Sequence, residues 1–192
     1  MDSRLEKISE QEKVRNIKIF KDFANDIKLV VMDADGVLTD GKIYQGLDGI
    51  QIKAFNSKDG MGIRLLQKYN IILAILSGGS SEPISKRAES LGIKILKFGV
   101  EDKLDALIKL QEELKIMPRE TVFLGDDIND LPVISRVRLF ATPRDGHAAC
   151  KEKANWIGQF EGGNGFVREF SDYLIFARGL NPHIPLKTSN AF

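Results

Sequence analysis

The chain has 192 residues, of which 43% are hydrophobic and 29% charged, as in an ordinary globular protein with a substantial core. Its 28 Lys and Arg residues nearly balance 27 Asp and Glu residues, so a formal net charge of +1 gives no reason to expect a nucleic-acid or membrane partner. With no apolar run near the roughly 18 residues of a membrane span, no signal-peptide pattern and one cysteine, Cys150, the chain is expected to be cytoplasmic and free of internal disulfides.

Three short apolar runs, at residues 28–32, 71–76 and 121–124, each end in acidic residues or glycine. Runs this apolar are typical of strands covered on both faces in a parallel sheet. The chain is therefore predicted to be an α/β protein with a Rossmann-like, doubly wound parallel sheet. The expected layout is a helical extension at residues 1–26, the main domain at 27–180 and a short tail at 181–192.

Amphipathic stretches between these runs predict the helices that cover the sheet. Ser57 is the expected cap of a helix over residues 58–69. Pro83 lies where the first turn of a helix tolerates proline, and that helix should end near Gly92. A third helix carries an apolar stripe made of Leu104, Leu107, Ile108 and Leu114.

One segment interrupts the alternation of strands and helices. Residues 42–44 and 51–55 resemble two strands, joined by a glycine-containing turn at 45–49. The pattern predicts a β-hairpin of about residues 42–55 that projects after the first strand. No segment is left over that would form a separate cap domain.

The predicted strands end in polar residues, and ligands of open α/β sheets bind beyond the carboxyl ends of the strands. If these strands are neighbours, four carboxylates come close together and repel, so the site needs a cation. A site made only of oxygen ligands beside a phosphoryl group favours Mg²⁺. The four carboxylates belong to Asp33, Asp35, Asp126 and Asp127.

Each polar group has a chemical task if the site transfers a phosphoryl group. Asp33, at the tip of the first strand, is expected to attack phosphorus and become an aspartyl-phosphate. Asp35 is expected to protonate the leaving oxygen and later to deprotonate the water that hydrolyses the intermediate. Ser77 and Lys103 are expected to bind the remaining phosphoryl oxygens, where charge spreads in the transition state.

Taken alone, each motif also has a structural interpretation. An Asp-x-Asp-Gly string is common in turns, although a calcium loop would need a ligand where Val37 stands. The sequence Gly125-Asp126-Asp127 is typical of a capped helix start, and a helical lysine such as Lys103 is usually solvated. Lys103, however, falls in the first turn of its helix, where the dipole disfavours a cation. The combination, in this order on separate apolar strands, favours a catalytic site.

The chain resembles the haloacid dehalogenase superfamily in four motifs, at residues 33–39, Ser77, Lys103 and residues 125–130. The resemblance implies a Rossmann-like core, Mg²⁺ dependence and phosphoryl transfer through Asp33. It also implies that the backbone carbonyl of Asp35 and the carboxylate of Asp126 bind the metal directly. Asp127 is expected to bind it through water.

Over nearly its whole length the chain is similar to the capless 3-deoxy-D-manno-octulosonate 8-phosphate phosphatase family, in residues 40–41, 53–56, 59–64 and 162–169. The resemblance implies that phosphate is released from a sugar-acid phosphate on the route to lipopolysaccharide. It also implies a homotetramer in which the hairpins associate and neighbouring subunits close each active site. The glycine-rich segment 162–165 should pack near the mouth of that site.

The same resemblance implies a set of substrate contacts. Arg64 and Arg87 suit the sugar carboxylate, because guanidinium binds a carboxylate through two parallel hydrogen bonds. Each is otherwise interpreted as a solvated helix arginine. The full set is Asp35, Asn56, Ser57, Lys58, Asp59, Gly60, Arg64, Gly79, Arg87, Lys103 and Asn129.

Gly79 departs from the family, which typically has arginine after the second motif. A phosphatase of a nine-carbon, sialic-acid-type 9-phosphate is therefore an alternative. A non-catalytic tetramerising module is a second, although such modules tend to lose the catalytic acids that are present here. A phosphotransferase that passes phosphate to a sugar is a third.

Overall fold

In the computed structural model, which describes residues 10–47, 51–79 and 82–183, six parallel strands form one sheet in the order β5-β4-β1-β6-β7-β8. This arrangement confirms the predicted α/β class. The two remaining strands, β2 and β3, form a separate antiparallel hairpin. The strands are β1 Leu29–Met32, β2 Tyr44–Gln45, β3 Gln51–Ile52, β4 Ile72–Leu76, β5 Ile95–Lys97, β6 Thr121–Leu124, β7 Leu139–Thr142 and β8 Trp156–Ile157.

Helices cover the sheet, and among the described residues none has the length and apolarity that crossing a bilayer requires. Short 3-10 helices at Ala24–Asp26, Pro118–Glu120 and Ile128–Arg136 connect the larger elements. The α-helices are α1 Glu10–Lys21, α2 Ser57–Lys68, α3 Glu82–Ser90, α4 Lys103–Leu114, α5 Ala148–Lys153 and α6 Phe166–Ala177.

The three helices predicted between the apolar runs are present as α2, α3 and α4. The expected cap of α2 was wrong by one residue. Asn56, rather than Ser57, precedes the helix in an extended conformation, and its side-chain carbonyl accepts a 2.8 Å hydrogen bond from the N–H of Lys58. An asparagine amide thus satisfies a free N–H of the first turn.

Two apolar cores lie on opposite faces of the sheet, because successive strand residues point to opposite sides. In β1, Val30 and Met32 belong to one core and Leu29 and Val31 to the other. All four side chains are fully buried. Burial on both faces explains why the strand sequences are continuously apolar.

The predicted N-terminal extension is helical from residue 10 and packs as part of the main core. Phe20 of α1 is fully buried against three aromatic rings, at centroid distances of 5.4 Å to Trp156, 5.7 Å to Phe170 and 6.0 Å to Tyr173. Residues 1–9 of the extension and residues 184–192 of the expected tail lie outside the described residues.

The predicted hairpin is present but shorter than expected. Tyr44 pairs with Ile52 and Gln45 with Gln51 in antiparallel register. Residues 53–55 leave the hairpin and run to the start of α2, while residues 48–50 of the turn lie outside the described part of the chain.

Candidate active site

The site lies at the carboxyl edge of the three central strands. Met32 at the end of β1 is in register with Ile75 of β4 on one side and Leu124 of β6 on the other. The polar residues that follow these strands therefore emerge side by side, as the sequence predicts. The N–H of Asp33 donates to the carbonyl of Leu124 at 2.9 Å, which extends the pairing into the site.

The carboxylate of Asp33 is nearly buried and is held at both oxygens. Its Oδ1 accepts the N–H of Ala34 at 2.7 Å, and its Oδ2 lies 2.9 Å from the ammonium of Lys103. Burial and the charge of Asp130 raise the pKa of Asp33 to about 6, against the opposing effect of Lys103. The carboxylate is thus fixed at the strand tip, where the sequence places the nucleophile.

Lys103 is the first residue of α4 and its side chain is almost completely buried, which excludes a solvated surface lysine. Its ammonium lies 2.9 Å from Asp33 Oδ2 and 2.6 Å from Asp130 Oδ1. Burial favours the neutral amine, but the two carboxylates outweigh it and raise the pKa of Lys103. The site therefore contains a fixed positive charge beside the carboxylate of Asp33.

The sequence alone predicts no catalytic or binding role for Asp130, yet its side chain holds the loop of Asp126 and Asp127 in place. It is fully buried, and its Oδ2 accepts the N–H groups of Asp126 at 3.0 Å and Asp127 at 3.3 Å. An acid in the third position after a capping Asp127 is the signal that predicts such a loop. With Oδ1 held by Lys103, both oxygens of Asp130 are occupied by the protein.

A divalent cation fits the space between these acids. One oxygen each from Asp33, Asp126 and Asp130 lie within 4.8 Å of one another. Asp126 Oδ1 is buried without a hydrogen-bond partner among the described residues. Burial, together with the charges of Asp33, Asp130 and Asp127, raises the pKa of Asp126 to about 8. Asp33 and Asp130 both have partners at their two oxygens, so Asp126 is the member of this group with an oxygen that no described donor occupies.

Two glycines allow the loops of the site to approach each other. Gly36 has a φ of +85°, and a Cβ built there would lie 2.0 Å from Asp126 Oδ2. A Cβ on Gly162 would lie 1.7 Å from the carbonyl oxygen of Gly36. The N–H of Gly163 donates to the carbonyl of Val37 at 2.9 Å. The glycine-rich segment thus packs directly on the nucleophile loop, as the resemblance implies.

Asp35 and Asp127, the other two acids predicted to bind the metal, lie outside the group of Asp33, Asp126 and Asp130. The carboxylate of Asp35 is partly exposed, and its Oδ1 accepts hydrogen bonds from Thr39 Oγ1 at 3.0 Å and from the ammonium of Lys53. Asp127 is exposed and caps the following 3-10 helix through the N–H of Ile128 at 2.7 Å. The carbonyl contact of Asp35 and the water-mediated contact of Asp127 stay predictions.

The predicted substrate loop forms the start of α2, and Asp59 within it has a structural task. Its carboxylate is buried and accepts the N–H groups of Gly165 at 3.0 Å and Arg168 at 2.9 Å. Burial raises the pKa of Asp59 to about 6, although these N–H groups oppose the shift. These contacts hold the loop against the start of α6, and the predicted substrate contact of Asp59 stays a prediction.

Arg64 of α2 and Arg87 of α3 lie close enough to influence each other. Burial and the charge of Arg64 lower the pKa of Arg87, with a smaller opposing effect from Asp59. The Arg87 guanidinium lies over the ring of Phe55, 6.0 Å from its centroid, and a Cβ on Gly60 would lie 2.6 Å from Arg87 Nη2. Among the described residues neither arginine forms a salt bridge, an arrangement that favours binding of an anion.

The remaining predicted residues lie at the rim or at a strand end. Ser77 is buried after β4, where its N–H donates to the carbonyl of Lys97 at 2.9 Å. Gly79 and Asn129 are exposed, and a Cβ on Gly79 would meet no described atom within 4 Å. Ser57 and Lys58 are exposed in the first turn of α2.

Comparison with known proteins shows which protein family the chain matches. A model of the haloacid dehalogenase-like hydrolase family matches residues 92–170. The 3-deoxy-D-manno-octulosonate 8-phosphate phosphatase of Escherichia coli K12 is 40% identical over 156 residues, which cover 81% of this chain and 83% of the relative.

Solved structures agree with this result. The phosphatase of the same name from Yersinia pestis has a TM-score of 0.81 at 38% identity, over 84% of this chain and 87% of that one. The Moraxella catarrhalis enzyme, crystallised with a magnesium ion, a phosphate ion and a KDO molecule, has a TM-score of 0.80 at 36% identity, over 83% and 91% of the two chains.

Proposed function

Because the chain belongs to the 3-deoxy-D-manno-octulosonate 8-phosphate phosphatases, within the haloacid dehalogenase-like hydrolases, we propose that it hydrolyses this phosphomonoester to the free sugar acid and phosphate. The observation that carries the proposal is the buried group of Asp33, Lys103, Asp126 and Asp130 at one sheet edge. The sugar acid would serve lipopolysaccharide synthesis, as the family resemblance implies.

Magnesium fits the acidic group and is the cofactor. Asp33, Asp126 and the backbone carbonyl of Asp35 would hold it, with Asp127 contributing through water. When bound, the ion supplies the positive charge that lets an anionic nucleophile approach an anionic phosphate. The unpartnered oxygen of Asp126 and the raised pKa values of Asp33 and Asp126 support this assignment.

Asp33 is the nucleophile that attacks phosphorus and forms an aspartyl-phosphate. Its contacts with Ala34 and Lys103 fix the orientation of the carboxylate before the substrate arrives. The Lys103 ammonium, already beside Asp33, is placed to bind the phosphoryl oxygens as charge develops on them. Ser77, at the neighbouring strand end, would bind a further phosphoryl oxygen.

Asp35 protonates the leaving sugar oxygen and then accepts a proton from the water that attacks the aspartyl-phosphate. It lies two residues beyond the nucleophile on the same loop, and its side chain is 36% exposed, so it reaches the open side of the site. The first role requires the protonated carboxyl group and the second requires the carboxylate, in successive half-reactions.

The sugar acid would be recognised at the start of α2 and on α3. Arg64 and Arg87 would bind its carboxylate, since the two guanidinium groups influence each other and neither forms a salt bridge among the described residues. Asn56, Ser57, Lys58, Gly60, Gly79 and Asn129 would complete the contacts.

The assembly proposed for the chain is a homotetramer built through the hairpins. Ile43, Tyr44, Leu47 and Ile52 are exposed on the hairpin, which is an unusual concentration of apolar surface. A chain with Ile43→Ser and Ile52→Ser should therefore have a lower molar mass by light scattering than the native protein, and an unchanged mass would contradict the proposal. A single free, buried cysteine fits the proposed cytoplasmic location.

The experiment that tests the function is phosphate release from 3-deoxy-D-manno-octulosonate 8-phosphate, measured with Mg²⁺ and with a chelator. The comparison substrates are a sialic-acid-type 9-phosphate and a panel of hexose phosphates, and the control protein is Asp33→Asn. We expect Mg²⁺-dependent turnover of the octulosonate that Asp33→Asn abolishes. Preference for the nine-carbon substrate would contradict the proposed substrate, and activity in Asp33→Asn would contradict the proposed aspartyl-phosphate mechanism.

A further inference from the structure

Lys53 connects the projecting hairpin to the catalytic loop. It follows directly after β3, yet its side chain is only 4% exposed and its ammonium contacts Asp35 Oδ1. A lysine is rarely buried unless its charge is paired. The pairing partner is the carboxylate that serves as acid and base, and this contact is used by none of the steps described above.

The contact is one of two on the same oxygen. Thr39 is fully buried, and its hydroxyl donates to Asp35 Oδ1 at 3.0 Å while accepting the N–H of Gly41 at 3.2 Å. In the described part of the chain, no donor reaches Asp35 Oδ2. The carboxyl group is thus held by Oδ1 from two directions, which restricts its rotation and leaves Oδ2 as the oxygen without a donor among the described residues.

We propose that Lys53 is a positioning residue for proton transfer: with Thr39, it holds Asp35 Oδ1 so that Oδ2 delivers the proton to the leaving oxygen. This inference rests on the proposed phosphatase function. In the step, Asp33 forms a bond to phosphorus as the bond from phosphorus to the sugar oxygen breaks. The bonding electrons go to the sugar oxygen, which takes the proton from Asp35 Oδ2.

The position of Lys53 also makes this orientation depend on the hairpin. Only residues 53–56 separate β3 from α2, whose start is capped by Asn56 and tied to α6 through Asp59. A displacement of the hairpin therefore moves Lys53 relative to a fixed α2. The contact between Lys53 and Asp35 therefore links the orientation of the acid to the position of the end of β3.

The leaving group provides a readout that a purely structural role would not change. A sugar alkoxide is a poor leaving group and needs the proton, whereas p-nitrophenolate leaves as a stabilised anion and needs it little. The ratio of kcat on the two substrates is measured on one preparation, so it does not depend on the fraction of folded protein. Lys53→Met keeps the length of the side chain and removes its charge.

We expect Lys53→Met to lower kcat on the octulosonate 8-phosphate by roughly 10- to 100-fold and kcat on p-nitrophenyl phosphate by less than about threefold. Lys53→Arg, which keeps a donor, should recover most of the loss. Lys42→Met is the matched control, because Lys42 lies just before β2, is exposed and pairs only with Asp40 among the described residues. Its ratio should equal that of the native protein.

Equal losses on the two substrates in Lys53→Met would overturn the proposal, and so would a rise in KM at unchanged kcat, which would make Lys53 a substrate-binding group. Failure of the proposed function is a separate result, seen as absent octulosonate turnover by the native protein. In that case the comparison is made between p-nitrophenyl phosphate and whichever alkyl phosphate the native protein does hydrolyse.

Discussion

Lys103 Nζ and Asp130 Oδ1 are 2.6 Å apart, with both side chains almost completely buried. The lysine that contacts Asp33 is therefore also held by a carboxylate on another loop. That carboxylate also accepts the N–H groups of Asp126 and Asp127. One side chain therefore positions both the ammonium of Lys103 and the loop that carries Asp126.

Asp130→Asn should lower kcat by about 100-fold or more, because an amide cannot anchor Lys103 and accept both N–H groups as the carboxylate does. It should also raise the Mg²⁺ concentration needed for half-maximal activity. Steady-state kinetics at several Mg²⁺ concentrations measure both effects. Asp105→Asn is the matched control, because Asp105 is an exposed acid of α4 that pairs with Lys109 outside the site. Equal, small effects of the two substitutions would contradict the role of Asp130.

Gly36→Ala should abolish Mg²⁺-dependent activity, because the new Cβ would lie 2.0 Å from Asp126 Oδ2. Gly41→Ala is the control for backbone strain alone. Gly41 also has a positive φ, of +72°, but the nearest atom to a Cβ there is 3.6 Å away. Gly41→Ala should cost about 1–2 kcal/mol in unfolding free energy and keep the activity. Comparable activity in the two variants would show that close approach at Gly36 is not required.

Arg87→Ala should lower the activity on the sugar-acid substrate more than the activity on an aryl phosphate that lacks a carboxylate. We expect kcat/KM on the octulosonate to fall by roughly 100-fold, since a bidentate, charge-assisted contact is lost, and to change little on p-nitrophenyl phosphate. Arg64→Ala should behave in the same way. If both substrates lose activity equally, these arginines support the fold or the phosphoryl site instead.

Glu169 makes the stability of the fold depend on pH. Its Oε2 accepts the N–H of Gln159 at 2.8 Å, while its buried Oε1 has no partner among the described residues. Burial raises the pKa of Glu169 from 4.5 to about 7, although the N–H groups of Gln159 and Phe160 oppose the shift. The folded chain therefore retains a proton that the unfolded chain releases, so this group makes folding less favourable as pH rises from about 4.5 to 7.

Glu169→Gln removes this titration and keeps a carbonyl acceptor for Gln159. Relative to the native protein, the variant should gain on the order of 1–3 kcal/mol in unfolding free energy between pH 5 and pH 8. Urea denaturation of the two proteins at both pH values measures the difference, because titrations common to both cancel. A stability difference that is independent of pH would show that Glu169 is not protonated in the native state.

The sequence alone predicts those parts of the site that depend on strong local patterns. Apolar runs predicted β1, β4 and β6, and their parallel arrangement placed Asp33, Ser77 and Asp126 at one edge. The strands β5, β7 and β8 were not predicted. β5 and β8 have only three and two residues, which give too little pattern to distinguish them from loops. β7 is as long as β1 and β6, but its apolar residues are only Leu139 to Ala141, between Arg138 and Thr142.

Contacts between distant residues could not be predicted in the same way. Lys53 reaches Asp35, and Asp59 reaches the start of α6, only after the chain has folded. Nothing in the immediate neighbourhood of either residue distinguishes it from a surface charge. Asp130 is intermediate, because its capping position was visible in the sequence but its contact with Lys103 was not.

The close packing of Gly162 on the carbonyl of Gly36 has a consequence for synthesis of the protein. All the catalytic acids leave the ribosome before the glycine segment that supports their loop. A partly made chain, or one truncated before residue 160, would contain every reactive group but would lack the surface that shapes the nucleophile turn. Synthesis through the glycine segment is thus expected to be a condition for catalysis, and products that end before it should be inactive.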